Sequence, residues 1–358
     1  MKNNNELQEG CVYYFFNDST NKNSKNNSKN SNNKKNIKNI INKNDFYTRN
    51  ELTNVKKIHT INNYKIYYYV CENSTELTIK NIQEDDISIE ENSHNENKIS
   101  DTILLKFEDR EIIYLKNYLK ALSSPRKYIL SLIHFYKHLL KSIQLLVDKQ
   151  IIHNHINFDS IIVDNHYDPL LTNFSFSLDM SHQTISQYIH HFIIDYDPSY
   201  LEWPIEFHIL AYLLTNKLNS LSSFNIENIV NNVIDNHSIL KTFGESVVSS
   251  YKLEAIEYFN KYVNHSYEYI LTDILQYSST WDNYALSILF LRILIGLHKS
   301  MDKKNKFIIL FMKLLVGNIH LNPFKRLSIS STTNKFDSIL DSLEPKDYKE
   351  IIHGLMSA

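Results

Sequence analysis

The sequence predicts an α+β protein of two lobes, a small sheet-bearing half followed by a large helical half. Three observations predict it. Short runs of β-branched and aromatic residues gather in the first 110 positions. From about residue 111 the apolar residues recur at helical spacing over long stretches. With 358 residues, of which 42% are hydrophobic and 22% charged, the chain has the composition of a soluble globular protein able to bury a sizeable core.

Taken in order, Cys11–Phe16 reads as a strand. Residues 17–44 are almost entirely Asn, Lys and Ser and bury too little apolar surface to offset their ordering entropy, so disorder is expected there. Residues 46–58 carry a weak helical pattern, and Lys65–Cys71 (KIYYYVC) reads as a strand with tyrosines at alternate positions. An acidic loop at 83–98 precedes another strand, Thr102–Phe107. Tyr128–Val147 is a long amphipathic helix, with Ile129, Leu132, Tyr136, Leu139, Ile143 and Leu146 on one face and Ser123-Ser124-Pro125 as its start signal. The remainder, Glu202 to Met356, reads as helices joined by polar loops. The expected organisation is a lobe over 1–110, a helical lobe over 111–340 and a tail helix over 341–358.

Several function classes are excluded. A net charge of −2 supplies no basic field for nucleic acid. The apolar runs Ile288–Leu297 and Phe307–Val316 are interrupted by Arg292 and Lys313 and are too short to span a bilayer. Met1–Gly10 is polar and lacks a secretory apolar core. Cys11 and Cys71 form neither a metal-ligand spacing nor a disulfide framework, which fits a reducing cytoplasmic setting. The heavy use of Asn and Lys in the N-terminal third fits an AT-rich genome, such as that of a giant virus or of some protists.

The most informative stretch follows the long helix. Ile151-Ile152-His153-Asn154-His155-Ile156-Asn157-Phe158-Asp159-Ser160 leads into the apolar run Ile161–Asp164, and after a turn comes Pro169-Leu170-Leu171-Thr172-Asn173-Phe174-Ser175. This order of helix, polar loop, β-hairpin and polar loop resembles the catalytic core of eukaryotic-type protein kinases, where H-R-D-L-x-x-x-N and D-F-G stand at the corresponding places. Positions 155 and 173 then fall on the family's catalytic and metal-binding aspartates, eighteen residues apart. Ile103–Glu108 looks like the strand leading to the hinge, Glu111–Leu122 like the short helix after it, and Glu51 like the glutamate of the first-lobe helix. Trp281-Asp282 resembles the start of the central helix of the second lobe, whose aspartate binds the catalytic-loop backbone. Asn322-Pro323-Phe324-Lys325-Arg326 resembles the late D-P-x-x-R motif, whose arginine pairs with a glutamate, here Glu206. The layout from Tyr196 to His208 is similar to that of divergent kinase-like proteins of large DNA viruses. The resemblance covers residues 46–335 and implies a bilobal kinase-like fold with a reduced first lobe and a helical insertion at 215–275.

It also implies lost chemistry. Phosphoryl transfer depends on positioning and charge neutralisation, yet His155 replaces the catalytic aspartate, Asn157 the loop lysine, Ser160 the metal-binding asparagine and Asn173 the metal-binding aspartate. Mg²⁺ favours anionic oxygen ligands, so no metal is expected, and ATP is the one cofactor the resemblance admits. No G-x-G-x-x-G occurs, Gly10 stands alone, and Ser175 replaces the glycine after Phe174. A pseudokinase that binds a protein partner is therefore expected, without membrane or nucleic-acid contacts. Two alternatives stand beside it. One is an active Ser/Thr kinase using His155 as base and Asp159 or Asp164 as metal ligand; the other is a virion component that reuses the fold. His153 and His155 as a metal pair lack a further ligand at zinc spacing.

Overall fold

The computed structural model describes residues 38–42, 46–76, 102–181, 185–193, 195–297 and 306–347. The chain is α+β and mainly helical, with the strands among the described residues in three small sheets. The strand expected at 11–16, the acidic loop at 83–98 and most of the tail helix at 341–358 lie outside the described residues.

The first sheet has the order β1 (Lys38–Asn42), β3 (Thr102–Lys106), β2 (Asn73–Glu76), and both pairings are antiparallel. Here one expectation is corrected. The end of the polar tract, residues 38–42, is a strand, because its backbone finds a ladder partner in β3 that local composition does not reveal. A second correction concerns Lys65–Cys71. A 3₁₀ turn occupies Tyr64–Ile66, and only Tyr68 bridges to another strand, at Leu171. Tyr68 and Tyr69 are consecutive and both buried, which an alternating strand with one wet face forbids.

Helix α1 (Phe46–Ile58) forms as expected. The second sheet has the order β4 (Ile112–Tyr114), β6 (Ile161–Asp164), β7 (Pro169–Leu171), again antiparallel. The helix expected from Glu111 therefore starts later, as α2 (Leu115–Ala121), because Ile112–Tyr114 pair with β6 first. A third, two-stranded sheet pairs β5 (Ile151–Ile152) with β8 (Leu178–Asp179) and closes the two ends of the intervening loops.

Helix α3 (Pro125–Asp148) is the spine of the core. Pro125 sits at its first turn, where a missing N–H costs nothing, and the Ser124 side chain accepts from the Lys127 amide. Leu132, Tyr136, Leu139, Ile143 and Leu146 on its inner face are fully buried. A four-residue helix, α4 (Ile185–Tyr188), follows the third sheet. Then come α5 (Ile205–Thr215), α6 (Ser223–Asn236), the short α7 (Ser238–Lys241), α8 (Glu245–Phe259) and α9 (Tyr267–Leu275). The stretch 215–275 is thus helical. Helix α10 (Trp281–Leu297) is apolar on nearly all sides and is enclosed accordingly, with Leu286, Ile288, Leu289, Phe290 and Leu291 inaccessible. It packs with α11 (Lys306–Asn318) and α12 (Ile329–Asp341) against α3. The Tyr136 ring is met edge-on by Phe290, Phe311 and Phe336, each with centroids 4.8–4.9 Å away. No helix among the described residues is long and apolar enough to cross a membrane.

Candidate functional site

The loop after β5 and the loop after β7 face each other, and the first is held from below by one carboxylate. Asp282, at the start of α10, is 1% exposed; Oδ2 accepts from the His153 amide at 2.7 Å and Oδ1 from the Asn154 amide at 2.8 Å. Two adjacent N–H groups converge this way because Asn154 turns into the left-handed region, φ 60°, which asparagine tolerates better than most residues. Burial pushes the Asp282 carboxyl up to about 6, against the pull of the two amides.

His153 lies inside. Its Nε2–H donates to the Thr172 carbonyl at 3.0 Å, Nδ1 accepts from the His155 amide at 3.3 Å, and burial pushes its pKa down to about 3. Its ring meets the edge of the fully buried Phe174 at 4.8 Å, and Phe174 in turn meets Tyr68, whose hydroxyl donates to the Ser142 carbonyl of α3. A column of three rings thus ties the two loops to α3 and to the segment after the 3₁₀ turn.

His155 points the other way and is half-buried. Its protonation follows from its neighbours. The Asn157 carbonyl oxygen Oδ1 accepts from the Asp159 and Ser160 amides, at 2.8 and 3.1 Å, so the orientation of that carboxamide is fixed. Its Nδ2 group therefore faces His155 Nε2 at 3.2 Å and donates to it. Nδ1–H is left to donate to the Tyr200 hydroxyl at 2.8 Å. Burial also lowers the proton affinity of the ring, while the charge of Asp159 raises it. The result is a neutral imidazole with both nitrogens engaged.

Ser160 and Asn173 are likewise committed to their own loops. Ser160 Oγ accepts from the Asn157 amide at 2.9 Å and is inaccessible. Asn173, at φ 64°, turns its Oδ1 onto the Ser175 hydroxyl at 2.7 Å. Asp164 accepts from the amides of His166 and Asp168 and pairs with Arg110 at 3.2 Å, away from these residues.

Two further expected positions lie below the site. The Arg326 guanidinium is bidentate on Glu206, with both side chains buried, donates through Nε to the His320 carbonyl at 2.7 Å, and lies 5.0 Å over the Tyr284 ring. Glu51 is elsewhere, buried on α1; burial, with a smaller contribution from the Glu51 carboxylate, raises the Cys71 thiol to about 12. His153, His155, Asn157, Ser160 and Asn173 are therefore brought together, with Asp282 beneath them; Glu206 and Arg326 form a separate pair, and Glu51 stands apart.

Sequence reasoning missed the polar stripe of α1. Asn50 donates to the Ser175 and Ser177 carbonyls, Asn54 to Ser177, and Lys57 pairs with Asp179, so this face grips the loop after β7. The signal was present, since positions 50, 54 and 57 share a helix face. It also missed a cavity of about 250 Å³ beside His155, walled by Phe176, Phe192, Tyr200 and Trp203 with Asp195 and Asp197 at its lining.

No protein-family model and no curated protein sequence matches this chain.

Proposed function

We propose that this chain is a protein kinase-like protein of bilobal fold whose phosphotransfer site is dismantled, and that it works as a protein-binding scaffold or allosteric partner. The observation that carries this reading is the state of His155. A general base needs a free lone pair within reach of the proton it removes, and the one on Nε2 is occupied by the Asn157 amide. The two neighbouring positions that would hold a metal offer an amide and a hydroxyl, each turned onto its own loop. That is a poor shell for Mg²⁺, which favours anionic oxygens in strict octahedral geometry.

The fold part of the reading is supported by two long-range pairings that the resemblance implies: Asp282 on the His153–Asn154 backbone and Arg326 on Glu206. They join residues 129 and 120 positions apart. The cavity beside His155, apolar in its walls with two aspartates, suits an aromatic or aliphatic side chain of a partner protein flanked by basic residues.

A divergent active kinase is the second reading, favoured by the charge of Asp159 reaching the His155 ring. The test is transfer of labelled γ-phosphate from ATP to generic acceptor proteins and to the chain itself, with Mg²⁺ or Mn²⁺. The proposal expects no transfer above that of His155→Ala. Transfer by the native chain that His155→Ala abolishes would overturn it.

A further inference from the structure

Helix α3 carries a second histidine pair that the site above does not use. His134 and His138 are four residues apart and share one face of the helix, and both turn toward Asp168 in the β6–β7 turn. His134 Nε2 stands 2.8 Å from Asp168 Oδ1, and His138 Nδ1 stands 3.8 Å from the same oxygen. One ligand atom from each of the three residues lies within 4.8 Å of the others. Ligands at 2.0–2.2 Å around a tetrahedral zinc ion are separated from each other by roughly 3.4 Å, which falls between the two observed distances.

The surroundings of His138 argue for more than an ion pair. Its Nε2 meets the Ile66 carbonyl at 2.9 Å. A carbonyl only accepts, so Nε2 carries the proton and Nδ1 presents its lone pair toward Asp168. Metal-binding histidines commonly donate their second N–H to a backbone carbonyl in this manner, which fixes both tautomer and ring orientation. The Tyr67 ring, 5.1 Å away, backs the His138 imidazole. Asp168 is positioned just as firmly: Asp164 Oδ1 accepts from its amide at 3.0 Å and from that of His166 at 2.9 Å, and Asp164 is itself anchored by Arg110. Two ligands come from the middle of a 24-residue helix and the third from a tight hairpin turn, so the set is held by rigid elements.

We propose that His134, His138 and Asp168 form a binding site for a divalent transition-metal ion, zinc being the natural probe, with water completing the shell. Two imidazoles and a carboxylate favour such an ion over Mg²⁺ or Ca²⁺, which prefer all-oxygen shells. The ion would brace the β6–β7 hairpin against α3 and, through the Ile66 carbonyl, the 3₁₀ turn against both. This site is independent of the proposed kinase-like function, and H-x-x-x-H at 134–138 is its trace in the sequence.

The test uses the full chain, stripped with a chelator and titrated with Co²⁺ and then Zn²⁺. One equivalent of Co²⁺ is expected to give a visible d–d band of low coordination number that Zn²⁺ bleaches, and Zn²⁺ is expected to raise the melting midpoint. His134→Ala, at an exposed position, and Asp168→Asn, which keeps the turn's shape, are each expected to lose the band and the shift. Each should weaken Zn²⁺ binding by more than the roughly 10–100-fold that removal of an outer partner costs. A control that removes His190 and His191, whose rings lie 4.0 Å apart elsewhere, is expected to leave both signals intact. No stoichiometric band in the native chain, or a band that survives both His134→Ala and Asp168→Asn, would overturn the proposal.

Discussion

Acidification should unfold this protein through three histidines that are buried uncharged. His153, His208 and His237 are 0%, 0% and 3% exposed, and burial pushes their pKa values down to about 3, 4 and 4. In the unfolded chain each would titrate near 6.5. The sign follows from linkage: between the two values the unfolded state binds more protons, so stability falls as pH drops below about 6.5. At pH 5 each histidine costs about 2 kcal/mol, or about 6 kcal/mol for the three. Asp282 opposes this, because its carboxyl, raised to about 6, takes up a proton in the folded state first. That returns about 1.4 kcal/mol at pH 5. Glu202, also raised by burial, acts in the same direction as Asp282. The net loss of about 4–5 kcal/mol is a large part of the 5–15 kcal/mol typical of a folded domain. Urea midpoints followed by far-UV circular dichroism between pH 7.5 and 5 would measure it, and His208→Gln or His237→Gln should each flatten the dependence by about 1 kcal/mol per pH unit near pH 5. Midpoints that stay level across this range, or that rise on acidification, would refute the reasoning.

Other substitutions test the scaffold beneath the site. Arg326→Ala leaves Glu206 charged and inaccessible, and should cost about 3–5 kcal/mol in urea unfolding. Asp282→Ala strands the His153 and Asn154 amides without an acceptor; at about 1–3 kcal/mol per group it should be strongly destabilising, whereas Asp282→Asn should recover a good part of the loss. Ser222→Ala removes one half of the capping box on α6 and should lower stability by about 1 kcal/mol in the same assay.

Elements with strong local patterning were legible in the sequence. The spacing of Leu132, Tyr136, Leu139 and Ile143 and the Ser-Pro start mark α3 closely, and the hairpin Ile161–Leu171 shows as two apolar runs around a turn. The pairs Asp282–His153 and Arg326–Glu206, far apart in the chain, emerged only because a resemblance supplied their register. What stayed hidden depended on partners distant in sequence. Strand β1 reads as polar tract until β3 lies beside it, and Ile112–Tyr114 read as helix until β6 claims their ladder. The run KIYYYVC has strand composition, but Tyr68 reaches back to α3 and Tyr69 stacks on Phe107, so consecutive rings enter the core. The engagement of His155 by Asn157 and Tyr200 was equally illegible, since Tyr200 stands 45 residues away. The sequence places a histidine at position 155, and only the geometry shows that its lone pair is taken.

We propose that the site does not assemble a metal-bound nucleotide. The most direct test is the melting midpoint of the purified chain with ATP, measured with and without Mg²⁺, because a ligand that binds only the folded state must raise it. Either no shift or a shift of the same size in both conditions is expected. A shift that appears only with Mg²⁺, and that Asn173→Ala removes, would contradict it and restore the active-kinase reading.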